Sequence, residues 1–237
     1  MSNKFSPMPV IGPQTVYLFD LDNTLYPPEK NLFAHVDVRM TTFIEEKLGL
    51  THDEAFFIQK KYWKEYGTTL SGLMQFHGLE PDEFLDFVHD IDVSVLAPDP
   101  NLSEALAALP GKKFIFTNGT VAHAERVMGQ LGVGAHFEDV FDIVAGGYLP
   151  KPTPEIYPAM LARFGLVAEN TAFFEDMARN LTPAHQLGMT TILVAESGTD
   201  SLEAMSMPLE YRKQDDTHIH HKTDNLADFL KTVTQSL

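Results

Sequence analysis

From residue 98 onward, short apolar runs alternate with amphipathic segments, and this alternation strongly constrains the fold. The apolar runs lie at residues 113–117, 140–144, 171–175 and 191–194. Helical periodicity appears at residues 102–109, 121–131, 154–164 and 178–187. Repeated β-α units predict a parallel sheet covered by helices on both faces, and an earlier apolar run at 16–20 suits the same sheet. We therefore predict an α/β fold with a doubly wound parallel sheet.

Residues 28–97 interrupt this alternation with an aromatic-rich helical block. Apolar residues recur at helical spacing up to Gly49, and Thr51 with Glu54 predicts a capping box that opens a second helix ending at Gly67. Two shorter helices are predicted at 68–77 and 81–90. The expected division is a core of residues 1–27 and 98–237 with a helical domain of residues 28–97 inserted after the first strand. We expect a surface loop at 196–214 and a terminal helix at 224–233.

The charge and composition exclude several classes of function. The 237 residues include 17 Lys and Arg against 33 Asp and Glu, a net charge of −16 that repels nucleic acid and anionic membranes. The absence of cysteine excludes disulfides and thiolate chemistry. Residues 1–13 do not resemble a signal peptide, and no stretch has the length of a membrane span. These features favour a cytoplasmic protein and leave its oligomeric state open.

Two aspartates, Asp20 and Asp22, follow the first apolar run. Side chains two residues apart on an extended strand point to opposite faces, so the chain must turn if both carboxylates serve one site. Such a pair suits a hard cation with oxygen ligands, or a nucleophile beside a general acid/base. The alternative is an Asp-rich turn after an ordinary core strand.

Further polar residues follow the other predicted strands or precede a helix. They are Thr117-Asn118-Gly119, Lys151, Glu175-Asp176 and Asn180. Taken singly, these residues are also typical of a turn, a solvated lysine or a helix cap. In an open parallel sheet, however, ligands bind at the carboxyl ends of the strands, so all of them are expected at one edge. Their combination favours an active site.

The motifs Asp20-Leu21-Asp22-Asn23-Thr24, Thr117-Asn118, Lys151 and Glu175-Asp176, in this order, resemble the haloacid dehalogenase-like superfamily of phosphatases. The resemblance covers residues 15–26 and 98–195, and residues 28–97 lie where that superfamily inserts a cap. Segments 19–27, 66–70, 87–92 and 174–181 resemble its pyrimidine 5′-nucleotidase branch. The resemblance implies hydrolysis of phosphate monoesters through an aspartyl-phosphate.

The resemblance also implies a role for each strand-end residue in that reaction. Asp20 is the expected nucleophile, and Asp22 the acid that protonates the leaving group and the base that activates water. Thr117 and the backbone N–H of Asn118 are expected to hold phosphoryl oxygens. Lys151 is expected to neutralise the charge of Asp20 and the phosphoryl group.

The implied cofactor is Mg²⁺, a cation that keeps several waters and takes few protein carboxylates. Its expected ligands are the Asp20 carboxylate, the Asp22 backbone carbonyl and the Asp176 carboxylate. Glu175 is expected to act through a bound water, and Asn180 to orient Lys151 or a ligand. We expect no metal site among His218, His220 and His221.

The inserted helices are expected to select the leaving group, and the candidate selectors are Arg39, Tyr66, Thr68 and Thr69. The expected substrates are pyrimidine nucleoside monophosphates such as UMP and CMP. Two alternatives stay open at this point. One is a phosphatase or phosphomutase for another small phosphate ester, such as a sugar phosphate. The other is a non-catalytic sensor of a phosphorylated metabolite.

Overall fold

In the part of the chain that the structure describes, six parallel strands form a central sheet. The computed structural model describes residues 11–12, 15–195 and 216–237. The sheet order is β3-β2-β1-β4-β5-β6. The strands are β1 (Val16–Phe19), β2 (Lys113–Phe116), β3 (Asp139–Phe141), β4 (Thr171–Glu175), β5 (Thr190–Val194) and β6 (His221–Thr223). The chain reverses its direction of winding between β1 and β4, and a crevice opens at the carboxyl ends of strands at such a point.

Alternate side chains of each central strand enter two different cores, so the apolar residues of these strands are buried on both faces of the sheet. In β1, Tyr17 and Phe19 belong to one hydrophobic cluster and Leu18 to the other, and all three are fully buried. The rings of Phe19 and Phe174 stack between β1 and β4 with centroids 4.6 Å apart. Burial on both faces agrees with the predicted doubly wound sheet.

Five helices of the described chain cover the two faces of the sheet. They are α5 (Pro100–Ala108), α6 (Val121–Leu131), α7 (Ile156–Phe164), α8 (Ala178–Gln186) and α9 (Leu226–Ser236). Leu106 of α5, Val127 of α6 and Leu230 of α9 pack with Phe19 on one face. Tyr157 of α7 and Leu181 of α8 pack with Leu18 on the other.

Four helices between β1 and β2 form the inserted cap. They are α1 (Leu32–Leu48), α2 (His52–Tyr66), α3 (Thr69–His77) and α4 (Pro81–His89). Gly49 ends α1 in the left-handed conformation that glycine adopts without strain, and Thr51 and Glu54 form the predicted capping box of α2. The division at residues 27/28 and 97/98 remains a prediction.

The structure differs from the predicted elements at two places in the core. Strand β3 ends at Phe141, not at residue 144, because the Asp142 carboxylate accepts hydrogen bonds from the backbone N–H groups of Val121 and Ala145 (3.0 and 2.8 Å) and the chain turns there. Strand β6 was not predicted, because three polar residues at a sheet edge carry no hydrophobic alternation. The predicted loop at 196–214 lies outside the described residues. Within the described part of the chain, no helix is both long and apolar enough to cross a bilayer.

Candidate active site

The polar residues that follow β1, β2 and β4 meet at one edge of the sheet. The backbone N–H of Asp20 donates to the Phe174 carbonyl (2.9 Å), which extends the β1–β4 ladder by one residue and brings Asp20 beside Glu175. The backbone N–H of Thr117 donates to the Phe141 carbonyl (3.0 Å) in the same way. Parallel pairing, which brings equivalent strand ends together, therefore assembles the site from segments distant in sequence.

Lys151 lies at the centre of this edge with only 1% of its surface exposed. Its ammonium donates to Asp20 Oδ1 (2.6 Å) and to the Phe116 carbonyl (2.8 Å), and lies 3.6 Å from Glu175 Oε2. Burial acts to lower the pKa of Lys151, but the charges of Asp20 and Glu175 outweigh it and leave that pKa above its ordinary value. The lysine is therefore a fixed positive charge against the Asp20 carboxylate.

Asn118 holds Lys151 in place through its side chain. Its Oδ1 accepts the Lys151 backbone N–H (2.7 Å), and its Nδ2 donates to the Lys151 carbonyl (3.3 Å). Thr117 is buried beside it, with Oγ1 accepting the Gly119 N–H (2.9 Å). Sequence reasoning predicted a phosphate-binding role for both residues and did not predict the clamp on the lysine.

Three buried carboxyl groups, those of Asp20, Glu175 and Asp176, offer oxygens within 4.8 Å of one another. Burial raises the pKa of Glu175 above its ordinary value, and the Asp20 charge adds to this effect, while Lys151 and a hydrogen bond from Asn180 oppose it. Asn180 donates to Glu175 Oε1, not to Lys151. Glu175 Oε2 and Asn180 Oδ1 are buried without a hydrogen-bond partner among the described residues. A cluster of carboxylates with unsatisfied buried oxygens fits a divalent cation.

The Asp22 carboxylate lies outside this cluster and is held by two other side chains. His123 Nε2 lies 2.9 Å from Oδ1 and 3.2 Å from Oδ2, and the Tyr26 hydroxyl donates to Oδ1 (2.6 Å). Burial acts to raise the pKa of Asp22, but the charge of His123 and the hydrogen bonds from His123 and Tyr26 outweigh it, so the pKa lies below its ordinary value. The two aspartates thus occupy distinct environments.

A cleft of about 1100 Å³, which includes space open to solvent, lies between this sheet edge and the cap. Asp20, Asp22, Thr117, Asn118, Lys151, Glu175, Asp176 and Asn180 line its core side. Its cap side includes the apolar residues Phe33, Val36, Met40, Trp63, Leu70, Phe84, Leu85 and Val88, and the polar residues Asp37, Gln59, Lys60, Thr68, Thr69 and His89. The acidic cluster of the core therefore faces a cap surface with an apolar part and a polar part.

Two of the four predicted cap selectors line the cleft and two do not. Thr68 and Thr69 line it, and Thr69 Oγ1 also donates to the Gln59 carbonyl (3.2 Å). The Arg39 guanidinium instead binds the Phe87 carbonyl (3.0 and 2.8 Å) and stacks on the Phe87 ring. Tyr66 packs edge-on against the rings of Tyr62 and Phe76 inside the cap. The contacts of Arg39 and Tyr66 therefore hold cap helices together and give these residues no place in the cleft lining.

Four residues around the cleft were not predicted from the sequence: Arg179, Trp63, His123 and His89. The Arg179 guanidinium lies 4.4 Å from the centre of the Trp63 ring and donates to the Gly67 carbonyl (3.3 Å), which joins α8 to the cap. His123 contacts Asp22, and His89 of the cap stacks on His123. Arg179 lies one residue before Asn180, and His123 follows the Thr117 turn by six residues, so proximity to the motifs was the available signal.

Fold and site together define an α/β protein with a cluster of buried acids at the switch point of a parallel sheet, under a helical cap. Similarity to known proteins agrees with this description. The family model of haloacid dehalogenase-like hydrolases matches residues 15–188. The chain belongs to the haloacid dehalogenase-like hydrolase family.

Individual known proteins are similar to this chain in sequence or in fold. Phosphate metabolism protein 8 of Saccharomyces cerevisiae is 29% identical over 75% of this chain, which spans 60% of the length of that protein. Glyceraldehyde 3-phosphate phosphatase of Methanocaldococcus jannaschii is 28% identical over 78% of this chain and 87% of the length of that phosphatase. Among solved structures, a HAD phosphatase from Thermococcus onnurineus is similar in fold, with a TM-score of 0.61 and 18% identity over 92% of this chain and 97% of that one.

Proposed function

We propose that this protein hydrolyses phosphate monoesters through a phosphorylated Asp20 and depends on Mg²⁺. The proposal rests on the position of the Asp20 carboxylate. The Lys151 ammonium donates to it at 2.6 Å, and it belongs to a cluster of three acids that line a cleft. A carboxylate is a weak nucleophile, so its position and the neutralisation of charge must supply much of the rate acceleration.

In the first step, an Asp20 oxygen attacks phosphorus and the bond to the ester oxygen breaks. Asp22 gives its proton to the departing alkoxide. In the second step, Asp22 takes a proton from water as the water oxygen attacks the phosphorus of the aspartyl-phosphate, which releases phosphate and restores the Asp20 carboxylate. Thr117 and the Asn118 N–H bind phosphoryl oxygens, and Lys151 balances their charge.

The lowered pKa of Asp22 keeps its carboxylate deprotonated, which is the form that accepts a proton in the second step. For the first step, Asp22 must carry a proton. The negative charge of an arriving phosphate ester favours this protonated form, since a nearby like charge raises the pKa of a carboxyl group.

The residues proposed to hold Mg²⁺ are Asp20, Asp176 and the backbone carbonyl of Asp22, with Glu175 supporting them through water. The metal would supply charge neutralisation at the phosphoryl group. Asn180 fixes Glu175 at this position through their hydrogen bond.

For the substrate, we propose a pyrimidine nucleoside monophosphate such as UMP or CMP. The apolar part of the cap surface, which includes Phe33, Met40 and Trp63, suits a leaving group with a planar ring. The second candidate is a triose or sugar phosphate, and the relatives that are named glyceraldehyde 3-phosphate phosphatase favour it. The core would serve a phosphomutase equally well.

The decisive experiment measures phosphate release from UMP, CMP, AMP, IMP, glyceraldehyde 3-phosphate, sugar phosphates and p-nitrophenyl phosphate, with Mg²⁺ and with EDTA. We expect the highest kcat/KM on UMP and CMP, and activity that EDTA removes and Mg²⁺ restores. A higher kcat/KM on the triose phosphate would move the assignment to the second candidate. Conversion of a sugar phosphate to its positional isomer would identify a mutase, and no turnover at all would leave the sensor alternative.

The contact between Arg179 and Trp63 gives a prediction about substrate binding. Replacing Arg179 with alanine should raise KM roughly tenfold, equivalent to about 1.4 kcal/mol, and change kcat little, because the side chain borders the leaving-group side of the cleft. Steady-state kinetics on the best substrate measure this split. Arg163→Ala, at a side chain 50% exposed and paired with Asp139, is the matched control and should leave KM unchanged. A loss confined to kcat would contradict the prediction.

A further inference from the structure

The His123 side chain is fully buried, and the hydrogen bonds that it makes with described residues are directed at Asp22. Its Nε2 lies within 3.2 Å of both carboxylate oxygens, so the imidazole approaches the carboxylate between them. Tyr26 binds Oδ1 from a second direction. Two donors at different angles restrict rotation of the carboxylate about its bond to the chain.

The partners of the two Asp22 oxygens differ. Oδ1 accepts the shorter His123 contact and the Tyr26 hydroxyl, whereas Oδ2, within the described part of the chain, accepts only the longer His123 contact at 3.2 Å. Oδ2 is therefore the oxygen with more capacity left for a further hydrogen bond. Asp22 also lines the cleft, so an oxygen with this spare capacity is suited to contact a leaving group bound there.

The second ring nitrogen of His123, Nδ1, is buried and has no hydrogen-bond partner among the described residues. A buried polar atom without a partner costs free energy of folding, so an apolar side chain of similar size would serve packing better. Packing alone thus does not account for an imidazole at this position, whereas its contact with Asp22 does.

The cap contacts the other side of His123. The His89 ring, at the end of α4, stacks on the His123 ring with centroids 4.5 Å apart and planes at 16°. Arg126 of α6 donates to the His89 carbonyl (2.8 Å) and to the Ile91 carbonyl, and Thr120 lies 3.4 Å from His89 Nδ1. The end of α4 is therefore held against the helix that carries His123.

We propose that His123 is a positioning residue that directs Asp22 Oδ2 toward the ester oxygen of the leaving group, and that His89 of the cap holds the His123 ring in that orientation. This inference rests on the proposed function. The orientation of the acid/base in the core then depends on a side chain of the cap.

The experiment compares kcat/KM on an alkyl phosphate, UMP or the best alkyl ester of the panel, with kcat/KM on p-nitrophenyl phosphate. This parameter reports the steps up to release of the leaving group, and p-nitrophenolate departs without a proton. His123→Leu should lower kcat/KM on the alkyl ester by about 100-fold and on p-nitrophenyl phosphate by less than about threefold. His89→Ala should produce the same selective loss to a smaller extent. Asp22→Asn provides the reference pattern.

His123→Gln and His123→Asn provide a second comparison, which tests the inference even if the leucine variant does not fold. Glutamine places an N–H donor near the position of Nε2, whereas the shorter asparagine does not reach it. The glutamine variant should therefore have a kcat/KM on the alkyl ester at least about tenfold higher than that of the asparagine variant. Equal losses on both substrates, no loss on either, or equal activity of the glutamine and asparagine variants would overturn the inference. Absence of wild-type turnover on both esters would overturn the proposed function itself, and the inference with it.

Discussion

Replacing Asp20 with asparagine is expected to abolish phosphate release, with kcat falling on the order of 10⁴-fold or more. The substitution removes the attacking oxygen charge while keeping the size of the side chain. Acid-quenched wild-type enzyme should carry covalent phosphate during turnover, and the variant should carry none. Phosphate release and mass spectrometry of the quenched protein measure the two effects.

Asp90→Asn is the matched control for this experiment. It makes the same chemical change at a side chain 83% exposed and should retain full activity. Asp20→Ala excludes deamidation of the new asparagine as a source of residual activity. A folded Asp20→Ala protein that turns over within about tenfold of the wild-type rate would contradict the assignment of Asp20 as nucleophile.

Replacing Lys151 with methionine is expected to impair both stability and catalysis. Removal of one partner from a buried ion pair leaves a buried carboxylate without its partner, and the free energy of unfolding should fall by about 3–5 kcal/mol. Loss of the charge that faces the phosphoryl group should lower kcat by about 10²- to 10³-fold. Denaturant titration and steady-state kinetics measure the two effects.

Lys47→Met is the matched control, because Lys47 pairs with Glu83 through side chains that are 37% and 51% exposed. An exposed pair contributes about 0–1 kcal/mol, so the control should change neither quantity appreciably. An equal decrease in the free energy of unfolding in the two variants would show that the buried ion pair of Lys151 contributes no more stability than an exposed one.

The boundaries of the elements show where sequence patterns were sufficient. Helix α6 occupies the predicted residues 121–131, because Thr120 caps its first turn and Gly132 ends it in a left-handed conformation. Strand β4 likewise matches its prediction, because its apolar centre, Ala172 to Phe174, is buried on both faces. Strand β6 was missed because its pairing with β5 at the sheet edge, not its own composition, makes it a strand.

The candidate site divides in the same way. Motif order predicted that Asp20, Lys151 and Glu175 share one edge, and the distances between them confirm this proximity. The roles of the cap residues were not predictable in this manner. Arg39 and Tyr66 have suitable chemistry for a selector, but the helix packing of the cap directs them to Phe87 and Tyr62.

The sequence by itself determined the α/β class, the doubly wound sheet and the edge at which the acids meet. These features depend on local periodicity and on strand polarity, both of which a linear pattern records. Only the tertiary structure decided that Asn118 clamps Lys151, that His123 holds Asp22 and that Arg179 reaches Trp63 of the cap. Each of these contacts joins residues from separate elements, so its geometry depends on how helices pack on the sheet and on one another, which no local pattern specifies.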